Sequence, residues 1–209
     1  MKITGNKIEL KTAHESDREK IYTWLAKSDL TPSIMGSPNY TDHPIPSWEE
    51  FCEGYPLSFF NASGDGKGRN YIIIANDKEI GTIGYDLLDK QKDRVVLDIW
   101  MQSEKYCGHG YGSDALNTLC NYIHENYGIT NFIISPSARN ERAIASYRKA
   151  GFEYVKSLSK EEQKKEFGLS EYDDNMLMIK RLIKAIHLTF SQSEAAGKSQ
   201  VDSPLTPKQ

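Results

Sequence analysis

Three apolar runs rich in β-branched residues follow one another with little between them: YIIIAN (71–76), EIGTIGYDLL (79–88) and RVVLDIWM (94–101), joined by the polar turns DK and DKQKD. Connections this short predict an antiparallel meander. Past residue 112 the period changes: Ala115, Leu116, Leu119, Cys120, Ile123 and Tyr127 recur at helical spacing, and Gly128 supplies a C-terminal stop. The chain therefore sets a long amphipathic helix directly after a strand.

The flanking segments obey the same rules. NKIELKTA (6–13) alternates around Ile8 and Leu10 as a strand, and Ser16 with Glu19 forms a capping-box signature ahead of the helical face of Ile21, Tyr22 and Leu25. Residues 28–46, with Pro32, Pro38, Pro44, Pro46 and Gly36, predict a long surface loop. Ser47 and Glu50 repeat the capping-box spacing before a short helix to about Tyr55. NASGDGKGRN (61–70) reads as a flexible connector, because it lacks the GxxxxGKS/T spacing of a phosphate loop. TNFIIS (130–135), FEYVKSL and YDDNMLMIKRL (172–182) read as strands, and RNERAIASYRKAGF (139–152) as a helix with Asn140 as N-cap and Gly151 at its end. The charged segment 159–171 predicts an exposed insertion. One domain over 1–184 is expected, followed by a tail, 185–209, too poor in apolar residues to fold alone.

The 26 basic and 29 acidic residues are interspersed and leave a net charge of −3, which predicts no general affinity for nucleic acid or an anionic membrane. Cys52, Cys107 and Cys120 are odd in number and lack CxxC spacing, so neither a disulfide framework nor a metal site is expected. The N-terminus lacks the apolar run of a signal peptide, and no stretch reaches transmembrane length; a cytoplasmic protein is the expectation.

Between the third strand of the meander and the long helix lies YCGHGYGSDAL (106–116), with glycines at 108, 110 and 112. A helix N-terminus presents unpaired N–H groups and positive dipole, and glycine lets a bulky phosphate approach them. The dinucleotide pattern GxGxxG does not fit, and Cys107 with His109 would need further metal ligands that are not evident. A plain glycine-rich turn is the alternative. Asp98 interrupts the apolar VVLDIWM, a run of the kind expected for a strand covered on both faces. A carboxylate there needs compensation, from a cationic substrate amine on one reading and from backbone or Arg94 on the other. Tyr147 shares a helical face with Ile144 and is either packed or chemically used.

Two segments together carry a family likeness. The loop from Cys107 to Gly112 and PSARNERAIASYRKAGF (136–152) resemble the GNAT superfamily of acetyl-CoA-dependent N-acetyltransferases, whose loop pattern is Q/R-x-x-G-x-G/A. Gly110 and Gly112 match; Cys107 stands where glutamine or arginine is usual. The likeness spans about residues 6–183 and is strongest over 94–155. It implies an α/β (α+β) fold with a mixed, mostly antiparallel sheet flanked by helices, and acetyl-CoA as co-substrate. Cys107, Gly108, His109, Gly110, Tyr111 and Gly112 would face the CoA pyrophosphate and Asn140 the pantetheine region. Ile99 and Met101 would offer backbone N–H groups to the thioester carbonyl and pantetheine amides, with Tyr147 as general acid toward sulfur.

Within the superfamily, IELKTAHESDREKIYTWL, LDIWM and PSARNERAI look most like aminoglycoside 6′-N-acetyltransferases, and ribosomal-protein N-terminal acetyltransferases share much of this. The likeness makes Asp98 the active-site carboxylate and the acceptor a primary amine on an aminoglycoside-like polycation, as in antibiotic resistance. Asp86 and Trp48 would add charge and a wall to the acceptor pocket. Acetylation of a protein N-terminus or lysine, or non-catalytic acyl-CoA binding, is the alternative. The expected partner is a small-molecule amine, taken by a monomer or homodimer.

Overall fold

The computed structural model describes residues 2–34, 45–61, 68–87, 93–167 and 174–183. Strand β1 (Lys2–Thr4) turns back into β2 (Glu9–Thr12), and a 3-10 turn at Glu15–Asp17 opens helix α1 (Arg18–Ala26), followed by the short α2 (Thr31–Ile34). Helix α3 (Trp48–Gly54) leads through a second 3-10 turn, Leu57–Phe60, into the meander β3 (Gly68–Ala75), β4 (Lys78–Leu87) and β5 (Arg94–Met101). A third 3-10 turn, Glu104–Tyr106, precedes α4 (Tyr111–Tyr127); β6 (Asn131–Ile134), α5 (Glu141–Lys149), β7 (Glu153–Ser157), α6 (Lys160–Phe167) and β8 (Met176–Arg181) complete the order.

All eight strands form one sheet, ordered β1-β2-β3-β4-β5-β6-β8-β7. The β5–β6 pair is parallel, and the other pairs among the described residues are antiparallel. Asn76 and Asp77, at φ 49° and 60°, make the tight turn that sends β3 straight back as β4. Alternation along the strands splits the core in two. Tyr71, Ile73, Ile83 and Leu97 pack with Leu116 and Leu119 of α4, while Ile72 and Trp100 on the other face pack with Ile21 of α1 and Phe51 of α3. Full burial of Leu116 or Leu119 stabilises by about 1.5–3 kcal/mol each.

Local chemistry accounts for several boundaries. Ser47 Oγ accepts the Glu50 N–H at 3.2 Å while Glu50 Oε2 accepts the Ser47 N–H at 2.8 Å, so α3 starts where its capping box stands. The first helix starts differently from the Ser16 and Glu19 expectation. His14 N–H donates to Asp17 Oδ2 at 2.9 Å, because a 3-10 turn precedes α1 and shifts the box upstream. The segment read as an exposed insertion carries α6, whose Gln163 is buried, donates to Leu158 O and accepts from Asn175 Nδ2 at 2.7 Å. The β1 hairpin arm was not anticipated, and β3 begins at Gly68, inside the expected connector. Residues 35–44 of the proline-rich loop, the glycine-rich 62–67, residues 168–171 and the tail 185–209 lie outside the described residues. No helix of the described residues is long and apolar enough to cross a membrane.

Candidate active site

The site begins with a defect in pairing. β5 and β6 are in register from Arg94↔Asn131 to Val96↔Ile133, and β6 ends at Ile134 while β5 runs on to Met101 beside β4 alone. Gln102 N–H donates to Ile80 O at 2.8 Å, which sets the alternation. Asp98 and Trp100 turn their main-chain groups to β4; Ile99 and Met101 turn theirs the other way, toward the gap that β6 leaves.

Into that gap opens a cleft of about 210 Å³, lined by Ile99, Met101, Cys107, Gly108, Gly110, Tyr111, Gly112, Asn140 and Tyr147, among others. Gly108 and Gly110 have φ of 81° and 83°, a backbone region that side chains with a Cβ rarely enter. Gly110 is the N-cap of the 17-residue α4 and has no side chain to satisfy the first-turn N–H groups, an arrangement that can take an anion. A Cβ on Gly112 would stand 3.4 Å from Ser146 Oγ, an ordinary contact, so α5 packs closely here without requiring glycine; Ser113 Oγ donates to Ser146 O at 2.9 Å across the same contact. Behind the loop Asp29 accepts from Ser103 Oγ at 2.8 Å and from the Glu104 N–H at 2.9 Å, and Arg142 pairs with Glu104 at 2.7 Å.

Other side chains of the loop sort themselves by position. Cys107 is half-buried and burial pushes its thiol pKa up, which favours the neutral thiol over a nucleophilic thiolate. His109 is exposed on the outer side of the loop, with a ring nitrogen 3.2 Å from Lys105 O. Asn140 Oδ1 accepts the Ala143 N–H at 3.1 Å as the N-cap of α5 while also lining the cleft. Tyr147 is half-buried, its ring 6.4 Å from that of Phe152. Among the described residues no group of three or more His, Cys, Asp or Glu is placed to hold a metal ion.

Asp98 lies on the opposite face, the one covered by α1 and α3. Its side chain is exposed, which corrects the expectation of a strand covered on both faces. Tyr55 just past α3 donates its hydroxyl to Asp98 Oδ2. Protein atoms crowd the carboxyl although solvent reaches it, and this desolvation raises its pKa; the bonds from Tyr55 and from the Ile99 N–H oppose the rise without cancelling it. Tyr55 is itself anchored. Arg18 Nη2 donates to Tyr55 O at 2.6 Å and Cys52 O at 3.2 Å, its guanidinium 5.7 Å from the Trp48 ring and 5.4 Å from that of Phe60. The Tyr55 ring stacks on Phe51 at 4.8 Å and meets Trp100 edge-on at 5.6 Å. Trp48 is 36% exposed at the outer end of this aromatic row, and Asp86 is exposed two residues along β4 from Gly84, the residue opposite Asp98. Sequence reasoning missed Tyr55 and Arg18. The only signal for Tyr55 was its place four residues after Phe51 at the end of a capped helix, and Arg18 had none.

The chain matches the acetyltransferase (GNAT) domain family over residues 7–153. No curated protein matches it. Solved structures do: an acetyltransferase from Salmonella typhimurium that modifies the N-terminal serine of a 50S ribosomal subunit protein is 17% identical, with a TM-score of 0.66 over 88% of this chain and 100% of that one. Aminoglycoside acetyltransferase AAC(6')-Ib in complex with coenzyme A and kanamycin is 19% identical, with a TM-score of 0.61 over 83% and 94%. Spermidine N-acetyltransferase from Vibrio cholerae with CoA and spermine is 18% identical, with a TM-score of 0.62 over 85% and 97%. At these identities the likeness is one of fold.

Proposed function

The chain belongs to the GNAT acetyltransferase family, and from that premise we propose that it transfers the acetyl group of acetyl-CoA to a primary amine of a polycationic small molecule of aminoglycoside type. What supports this reading is that Tyr147 lines the cleft on one face of β5 while Asp98 stands on the other face of the same strand. The outward main chain of Ile99 and Met101 lies between them. An alkyl ammonium must lose a proton before it can attack. Asp98, with its pKa raised, takes that proton; the amine nitrogen bonds to the thioester carbon, the C–S bond breaks, and the departing thiolate takes a proton from the Tyr147 hydroxyl. The outward N–H of Met101 on β5 stabilises the oxyanion, that of Ile99 being taken by the Asp98 carboxyl, and those of the glycine loop hold the pyrophosphate. Trp48 and Tyr55 with Asp98 and Asp86 make an aromatic and anionic acceptor surface of the kind that suits organic cations.

Release of CoA thiol should be measured with aminoglycosides, spermidine and peptides bearing a free N-terminus. The proposal expects the aminoglycosides to turn over best. Turnover of peptides alone would move the protein to the ribosomal-type reading, and acetyl-CoA binding without turnover of any amine would leave an acyl-CoA-binding module. Tyr147→Phe should lower kcat while the KM for amine holds.

A further inference from the structure

The turn of the β1–β2 hairpin is seated on the start of α4. Gly5 N–H donates to Ile8 O at 2.8 Å and closes the turn, while the N–H groups of Asn6 and Lys7 within it donate to Asp114 Oδ1 and Oδ2 at 3.3 and 2.6 Å. Asp114 stands in the first turn of α4 and is 8% exposed, so a carboxylate that would be costly to bury alone is satisfied by the hairpin. Glycine at 5 permits the approach: a Cβ there would crowd Thr118 Oγ1 and stand 2.8 Å from Asp114 Oδ2. From the seated turn the Lys7 side chain extends to the glycine loop, where its Nζ donates to His109 O at 3.1 Å. It arrives on the outer side of the loop, where Lys7 and His109 line a second hollow of about 580 Å³.

His109 lies between two glycines at positive φ, Gly108 and Gly110, where the backbone is least constrained by its own side chains. Across a trans peptide the C=O and the following N–H point opposite ways. Holding the His109 carbonyl outward therefore turns the Gly110 N–H inward, to the cleft that Gly110 lines. We infer that Lys7 and Asp114 are positioning residues of the proposed donor site: Asp114 fixes the hairpin turn on α4, and Lys7 holds the His109–Gly110 peptide so that its N–H faces the donor's pyrophosphate. The inference rests on the glycine loop as the CoA-binding loop. It gives that loop, whose Cys107 brings neither cation nor amide, a brace from 102 residues away in the chain.

Acetyl-CoA affinity, read by calorimetry on the full chain with no acceptor present, tests the brace, and Asp114 separates positioning from plain electrostatics. Charge alone would make acetyl-CoA bind tighter in Asp114→Asn, since a negative charge beside an anion site is removed. The brace predicts the opposite sign, a weakening of about threefold to tenfold, the range of one hydrogen bond. Lys7→Met should weaken binding to a similar degree, and Lys7→Arg should recover most of it. The double variant should bind little worse than either single one, because both residues act through the same contact. In ¹H–¹⁵N spectra of the donor-free protein the Gly110 amide should move in Lys7→Met and return in Lys7→Arg. Gly5→Val, which lifts the turn from α4 with Lys7 and Asp114 intact, should reproduce the loss of affinity. Unchanged or tighter binding in a folded Asp114→Asn, unchanged binding in Lys7→Met, or an unmoved Gly110 amide overturns the inference; if Asp114→Asn does not fold, the Lys7 variants decide. Wild-type protein that binds no acetyl-CoA would instead sink the reading of the loop, and the inference with it.

Discussion

The two sides of the cleft are built from different materials. The proposed donor side is one contiguous stretch, from the Glu104–Tyr106 turn through Gly112, where glycines at positive φ lead into a helix start without a side-chain cap. The proposed acceptor side draws single side chains from α1, the end of α3, β4 and β5: Arg18, Tyr55, Asp86 and Asp98. A site made of backbone is hard to damage except by changing its conformation. A site made of side chains loses function one group at a time, and each loss has its own signature.

The sharpest way to separate them is Asp98→Asn, which should lower kcat by about 100- to 10,000-fold, the worth of a general base, while calorimetry finds acetyl-CoA affinity unchanged. Its stability consequence has a definite sign. The folded-state pKa of Asp98 is raised, so the group favours folding below its unfolded pKa and loses that contribution as pH rises through the folded value. At pH 7 the variant should melt no lower than wild type, and a clear fall in Tm would make Asp98 structural. Gly110→Val strikes the other side: with φ at 83°, strain of about 1–3 kcal/mol should weaken acetyl-CoA binding by about tenfold or more, with kcat at saturating donor within a few-fold of wild type.

Smaller effects sharpen the comparison. Tyr55→Phe removes a bond that lowers the Asp98 pKa, so the acid limb of kcat/KM should shift to higher pH by up to about one unit; a shift to lower pH would remove Tyr55 from its place. Ser47→Ala should lower stability by about 1 kcal/mol through the α3 cap in a denaturant titration, with acetyl-CoA affinity untouched because the cap belongs to the acceptor side. Cys107→Gln, which restores the usual polar residue to the loop, should tighten acetyl-CoA by only a few-fold, since the main chain already provides the donors.

The same division governs what could be read in advance. Gly110 and Gly112 stood out because anion binding at a helix start depends on neighbours in sequence, and the period change after them marked the helix itself. Asp98 stood out as a charge in an apolar run, although its exposure did not. Tyr55 was invisible, since it breaks no local pattern: it merely ends a short helix.

By itself the sequence determined the meander, the long helix, the capped α3 and the glycine turn, because periodicity, capping and positive φ act over a few residues. The tertiary structure alone decided that β6 stops short of β5 and that Asp98 and Tyr147 come to opposite faces of β5. Those depend on register between strands far apart in the chain, and register is chosen by packing both faces of the sheet at once.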